Sequence, residues 1–400
     1  MAFAIALCFA YALYILNIGL VFKLEAVNAI EKLAFLFAAI CFVMTRPVDR
    51  RVLVLLTIVM AMVLFLGSLT TYPYFQWTIL INALNQFIII YLLIAARPSA
   101  RDAKIILLLI AFAPVASSML GIAYDVVGLR PMFGAEFANR AERFRGSLIP
   151  SFLSGLAMCG VIACVLLVLR RGARYVPLGI LNLSILVLAG GRSALAVALA
   201  VSGLSLAFAR RISFTLKYAF FVGGCLIISF VLLLTWDTLS TRFTSSGMSG
   251  RDIMWAYLVN LADDYFWTGI GYGHQFFTTP RAMVVSFGSA AAHNDYYRLA
   301  VELGYPGMVM FYLLLTLAMY FVWSGRLVQR DPSVLIAYLG FLMLSITENV
   351  LSSPAYFPLL IVTIAATAIP MQVQVQRKPV ARPQKAGSKR HGFSKPARLP

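Results

Sequence analysis

Charge is scarce in this chain: 12% of its residues are Asp, Glu, Lys or Arg, against 61% that are hydrophobic. A sequence so poor in polar side chains cannot cover a soluble globule of 400 residues, which excludes cytosolic enzymes and secreted domains alike. Acid is scarcer than base, 15 residues against 33, and there are 3 histidines. The five cysteines, Cys8, Cys41, Cys159, Cys164 and Cys225, all lie inside apolar runs without metal-type spacing. They read as small buried apolar residues, so neither a disulfide framework nor a metal site is expected. The strict alternation that a transmembrane barrel needs is missing as well. What remains is an all-α polytopic membrane protein.

Apolar runs stand at about 2–22, 27–44, 52–69, 76–96, 105–124, 148–169, 175–190, 193–209, 218–236, 305–323, 333–347 and 355–370. At about 20 residues per crossing they predict about 12 transmembrane helices. Two breaks are weak, Lys23–Asn28 and Gly190–Gly191–Arg192, and merging across them gives ten or eleven spans. The first run has no basic stretch before it and no cleavage site, so it is expected to be a retained helix. Basic clusters recur at every second connection: Arg46, Arg50 and Arg51; Arg97, Arg101 and Lys104; Arg170, Arg171 and Arg174; Arg210, Arg211 and Lys217; Arg326 and Arg330. Together with the basic tail 371–400 they predict cytoplasmic termini. The net charge of +18 is then topological and calls for membrane lipid rather than nucleic acid. The tail, rich in Lys, Arg, Pro and Gln, is expected to be disordered.

The outer side then holds two loops, about 125–147 and 237–304, the larger lying between the ninth and tenth helices. Asp237–Gly307 contains His274, His293, Arg242, Arg251, Arg281, Arg298 and every acid between Glu142 and Asp331. Helix-compatible residues run from Asn294 to Leu303, Gly304 suits a helix end, and Pro306 suits the first turn of the next helix. His293 therefore stands at a helix start, where the dipole favours a neutral imidazole able to accept a proton; seating at the membrane interface is the plainer alternative. Arg192 follows two glycines and begins an apolar run, either as an anion holder or as an interfacial turn residue. Arg251, opening a short interfacial helix with Ile253, Trp255 and Leu258, has the fork geometry for phosphate but suits a solvated first turn equally. Arg140, Arg143 and Arg145 form an outer basic cluster able to meet anionic glycan or phosphate. Gly269-Ile-Gly-Tyr-Gly-His274 lacks the strand context of a dinucleotide fingerprint and reads as a tight turn. Asp263 and Asp264 read as a solvated helix end rather than a metal pair.

His293-Asn294, nine residues, Gly304, two residues and Gly307 resembles the His-Asn-x9-Gly-x2-Gly signature of the bacterial O-antigen ligase and polysaccharide polymerase superfamily, with Glu302 at the usual acid position. Gly191-Arg192-Ser-Ala-Leu is similar to the arginine-bearing helix start of that family, and Gly250-Arg251 through Trp255 to its segment before the large periplasmic loop. Arg143-Phe-Arg-Gly146 to Pro150-Ser151 is a fainter likeness, with Ser151 where asparagine is common. Tyr297 and Ala300 depart from the usual leucines.

The resemblance implies a metal-independent, cofactor-free, inverting transferase. It moves a glycan from an undecaprenyl diphosphate carrier to a glycan or glycolipid acceptor hydroxyl on the periplasmic face of the inner membrane. His293 would be the general base, and Arg192 and Arg251 would hold the diphosphate. Arg143, Arg145, Asn294, Trp255 and Tyr296 fall in the substrate-binding set; the two aromatics can stack on sugar faces or serve as interfacial belt residues. A ligase and a polymerase share these residues. A transporter or flippase expects ionisable residues at mid-membrane, whereas here they gather at helix ends; Glu348-Asn349, ending the eleventh run, is the partial exception.

Overall fold

The computed structural model describes residues 2–22, 25–135, 142–209, 251–325 and 332–369, with scattered positions between 213 and 233. The ninth apolar run, the first part of the large loop with Arg242, residue Arg140 and the tail 371–400 lie largely or wholly outside these residues.

The described chain is a helical bundle: α1 (Ala2–Leu16), α2 (Ile18–Val21), α3 (Glu25–Thr45), α4 (Arg50–Leu69), α5 (Trp77–Ala95), α6 (Ala100–Val126), α7 (Pro150–Arg171), α8 (Val176–Ala189) and α9 (Arg192–Phe208). After the large loop come α10 (Arg251–Asp264), α11 (Gln275–Thr278), α12 (Arg281–Phe287), α13 (Asp295–Gly325), α14 (Pro332–Leu344) and α15 (Pro358–Ala368). Among the described residues α4, α5, α6, α7 and α13 are long and apolar enough to cross a membrane, while α1, α8, α9 and α14 are apolar but shorter. The protein is thus a multi-pass helical membrane protein in its described part. The expectation of about twelve full spans is met by length in five helices.

One expected run is divided. Asn17 adopts a left-handed backbone (φ +48°), which separates α1 from α2 inside the apolar stretch 2–22. Asparagine tolerates this conformation better than most residues. Its side chain donates to the Ser147 carbonyl at 2.8 Å, a partner far away in sequence. The weak break at Gly190–Gly191 is real: Gly190 (φ +68°) ends α8 and α9 starts at Arg192.

Helix α7 sits at the centre, packed by α6, α8, α9 and α15. Small residues on it let its neighbours approach, as expected where lipid offers no hydrophobic drive between helices. A Cβ at Gly155 would strike the Tyr356 ring, and one at Gly160 would strike the Asn182 side chain.

Among the described residues, the basic clusters at Arg46–Arg51, Arg97–Lys104 and Arg170–Arg174 and the candidate site occupy opposite ends of the bundle. At one end the α3–α4 and α5–α6 connections zip together: Arg97 N donates to Pro47 O, Asp49 N donates to Ala95 O, and the Asp49 carboxylate meets Arg97 at 2.7 Å. Arg46 meets Asp102 at 2.6 Å, and Arg51 lies over Phe321 near the end of α13. Arg170, buried at the end of α7, donates to the Ser333 hydroxyl at the start of α14 at 3.1 Å. At the other end stand the short hairpin β1 (Phe133–Gly134) with β2 (Arg143–Phe144), the α8–α9 turn, the α14–α15 turn and the helices of the large loop. That loop is a small helical unit with its own core of Met254, Leu258, Ala262, Ile270, Ala292, Ala300 and Val301.

Candidate functional site

The start of α13 explains how His293 is presented. Asn294 caps the helix, its side-chain oxygen accepting from the backbone N–H groups of Tyr296 (2.9 Å) and Tyr297 (3.0 Å). Ten residues later the helix kinks at Gly304 (φ +71°, ψ 165°), and Pro306 lies in the continuing segment, as the glycine and proline placement anticipates. His293 itself is left-handed (φ +48°), an uncommon state for a side-chain-bearing residue. The residues around it hold it there. Trp255 Nε1 donates to Ala292 O at 2.9 Å, and Ala292 N donates to the Gln275 side chain at 3.3 Å. On the other side Asn294 N donates to Asn349 Oδ1, Asp295 N to Ser345 O, and Leu351 N to Asp295 Oδ2.

The imidazole keeps 24% of its side-chain surface exposed. Its Nδ1 lies 3.6 Å from Glu348 Oε2, and its Nε2 lies 3.2 Å from the Ser289 hydroxyl. The other oxygen of Glu348 accepts from the Ser193 hydroxyl at 3.3 Å, so this carboxylate joins His293 to the first turn of α9, next to Arg192. One residue before Glu348, the Thr347 carbonyl accepts from Arg251 Nη1 at 3.2 Å. Three positions far apart in sequence, Ser193 beside Arg192, Arg251 and His293, thus contact a single turn, Thr347–Glu348.

The remaining candidates divide. Arg143 reaches the same neighbourhood, its aliphatic chain lying against Gly190, while Ser154 fills the space over Gly191. The two glycines therefore serve close packing of their neighbours. Arg145 turns away: its Nε donates to Pro131 O at 2.7 Å and its guanidinium lies over Gly134 of the hairpin. Asn294 is buried and committed to its cap. Trp255, tilted against Tyr297 at 5.6 Å, props the loop that carries His293. Tyr296 points inward, stacked on Tyr312 at 4.6 Å, with its hydroxyl donating to Leu342 O.

His274 is buried at the tight glycine turn. Its Nε2 accepts from Gln76 N at 2.9 Å, which puts the ring proton on Nδ1, facing the Gly271 and Tyr272 carbonyls. Burial holds its pKa below the ordinary 6.5. The unfolded chain therefore binds a proton that the folded one refuses, and stability falls as pH drops below about 6.5, levelling off below the folded value. Thermal melts in detergent from pH 8 down to 5 should show a steeper acid loss for the wild type than for His274→Gln. Parallel curves would show that this ring does not resist protonation.

A cleft of ≈ 400 Å³ opens beside His274, lined by Tyr72, Tyr74, Gln76, Ile79, Phe277 and Thr278, with no side chain of His293, Arg192 or Arg251 in its wall. Among the described residues no three His, Cys, Asp or Glu side chains gather as a metal site. Asp263 accepts from the Tyr305 hydroxyl at 3.0 Å.

Two features escaped sequence reasoning. One is Glu348, legible only as an acid at the end of an apolar run. The other is the buried row along the first turns of α13, where Asp295 pairs with Arg298 at 2.8 Å and Glu302 accepts from Gln275 N. The signal for it was the spacing of three and four residues, which puts all three side chains on one helix face.

Residues 177–312 match the family model described as O-antigen ligase. The match runs from α8 into α13 and encloses Arg192, Arg251 and His293, while Arg143, Arg145 and Glu348 lie outside it. No curated protein matches the chain.

Proposed function

We propose, from the match of residues 177–312 to the O-antigen ligase model, that this membrane protein transfers a glycan from an undecaprenyl diphosphate carrier to an acceptor sugar hydroxyl on the periplasmic face of the bacterial inner membrane. The observation that carries this reading is the meeting of His293, Arg251 and the Arg192 helix start around the Thr347–Glu348 turn, at the bundle end opposite the basic clusters. In the proposed step His293 Nε2 takes the proton of the acceptor hydroxyl as its oxygen bonds to the anomeric carbon. The bond from that carbon to the phosphate oxygen breaks, and its electron pair leaves with the diphosphate. Attack opposite the leaving group inverts the anomeric centre. Arg192 and Arg251 hold the diphosphate and offset its growing charge, with Arg143 at the rim of the same site. No metal takes part.

Trp255 and Asn294 serve this site by fixing the His293 loop, and the cleft of Tyr72, Tyr74 and Phe277 offers the aromatic faces that sugar rings favour. The test is transfer by purified protein from an undecaprenyl diphosphate glycan, in chelator, with glycolipid and carrier-linked acceptors. Arg192→Ala and Arg251→Ala are each expected to lower kcat by about 10²–10³-fold, the usual effect of removing a donor to a developing negative charge. Full activity in both variants would sink the assignment. Long product on a carrier-linked acceptor would identify a polymerase, and a finished chain on a glycolipid a ligase.

A further inference from the structure

We propose that Glu348 is the positioning residue for His293, holding the imidazole with its proton on Nδ1 so that Nε2 is presented bare to the acceptor hydroxyl. This rests on the reading of His293 as the base. The carboxylate is the charged group facing Nδ1, at 3.6 Å, and the hydrogen bond from Ser193 to its other oxygen fixes its direction. At that separation the two attract as charge and dipole, and a closure of less than an ångström makes a hydrogen bond, as happens when catalytic sites tighten on substrate.

Proton accounting at the other ring nitrogen agrees. The Ser289 hydroxyl lies 3.2 Å from Nε2 and already accepts from Ala291 N at 3.1 Å. Its single proton is therefore free to be donated to Nε2, and in that arrangement Nε2 carries the lone pair. A bare Nε2 on a neutral ring leaves the proton on Nδ1, the side of Glu348. Ser289 Oγ in turn marks the seat that an acceptor hydroxyl would take.

The framework is stiff enough for such a role. The turn bearing Glu348 and the helix start bearing His293 are joined by the bonds from Asn294 N to Asn349, Asp295 N to Ser345 and Leu351 N to Asp295. The left-handed backbone of His293 is strained, and such strain persists where the surroundings enforce it. Glu348 does not take the proton itself; it stabilises the imidazolium formed when His293 does.

The chain has 3 histidines, so nitrogen-15 NMR of side-chain-labelled protein reads His293 directly, assigned by its loss in His293→Ala. The expected spectrum has His293 as the Nδ1–H tautomer in the wild type and a mixture of tautomers in Glu348→Gln. In transfer assays Glu348→Gln should lose about 10²-fold or more in kcat, with KM unchanged and partial recovery in Glu348→Asp. Ser193→Ala should lose less than Glu348→Gln, because it frees the direction of the carboxylate but leaves it beside His293. The same His293 tautomer in wild type and Glu348→Gln overturns the proposal, as does a Ser193→Ala defect equal to that of Glu348→Gln. Transfer lost in His293→Ala but intact in Glu348→Gln refutes the positioning role alone. Transfer intact in both refutes the base reading beneath it.

Discussion

His293→Ala is expected to lose about 10²–10⁴-fold in kcat while donor binding persists, the range that general-base catalysis supplies. The imidazole is 24% exposed, its Nε2 faces a hydroxyl, and its ring is fixed by neighbours whose own bonds do not involve it. Alanine at this position leaves the Asn294 cap, the Trp255 bond to Ala292 O and the Asn349 tie in place, so the fold of the site should survive. Alanine keeps the Cβ, so the backbone strain at φ +48° is unchanged, and stability should hardly change. Single-turnover transfer at saturating acceptor measures the chemical step, and equilibrium binding of the carrier-linked glycan checks that the arginines still hold the donor. Unchanged kcat in the variant would remove His293 from the chemistry.

Gly269→Ala is expected to be among the most damaging changes to stability. Gly269 has φ +66°, and a Cβ there would stand 2.4 Å from the Glu302 carbonyl carbon and 2.5 Å from both Glu302 O and Leu303 N. These neighbours are helix backbone and cannot rotate away. Left-handed strain of about 1–3 kcal/mol adds to about 1–3 kcal/mol of overpacking. The strap around it would break as well: Thr70 donates to Gly269 O at 2.6 Å, Ile270 N to Val301 O and Gly271 N to Glu302 O. Since this strap seats the first turns of α13, transfer should fall together with the melting temperature. Gly203→Ala in α9 is the control, because a Cβ there meets nothing within 4 Å and alanine favours a helix. Equal melting temperatures in the two variants would contradict the close approach at Gly269.

Much of the site's local form was legible before its surroundings were known. A helix beginning near Asn294, a break at Gly304 and a helix start at Arg192 follow from residue types acting within a turn of themselves, and each is realised, with Asn294 turning out to be the cap. Partner-dependent features were not legible. Tyr296 and Trp255 read alike as interfacial aromatics, yet one stacks inward on Tyr312 and the other braces the loop that carries His293. Arg143 and Arg145 sit two residues apart on the same strand end, where side chains of such spacing share a face, yet the first lies on Gly190 and the second folds onto the hairpin. Asn17 breaks its helix where Ser147 is there to receive its side chain.

By itself the sequence determined a helical membrane protein, the scarcity of charge outside a few clusters, and which residue would open each helix of the site. Hydropathy and capping act through near neighbours and leave their mark in composition and spacing. Only the tertiary structure decided that Ser193, Arg251 and His293 meet at one turn, and that an acid following α14 stands beside the histidine. Those contacts join segments 55 to 155 residues apart, and helix packing, which no local pattern encodes, sets their distance.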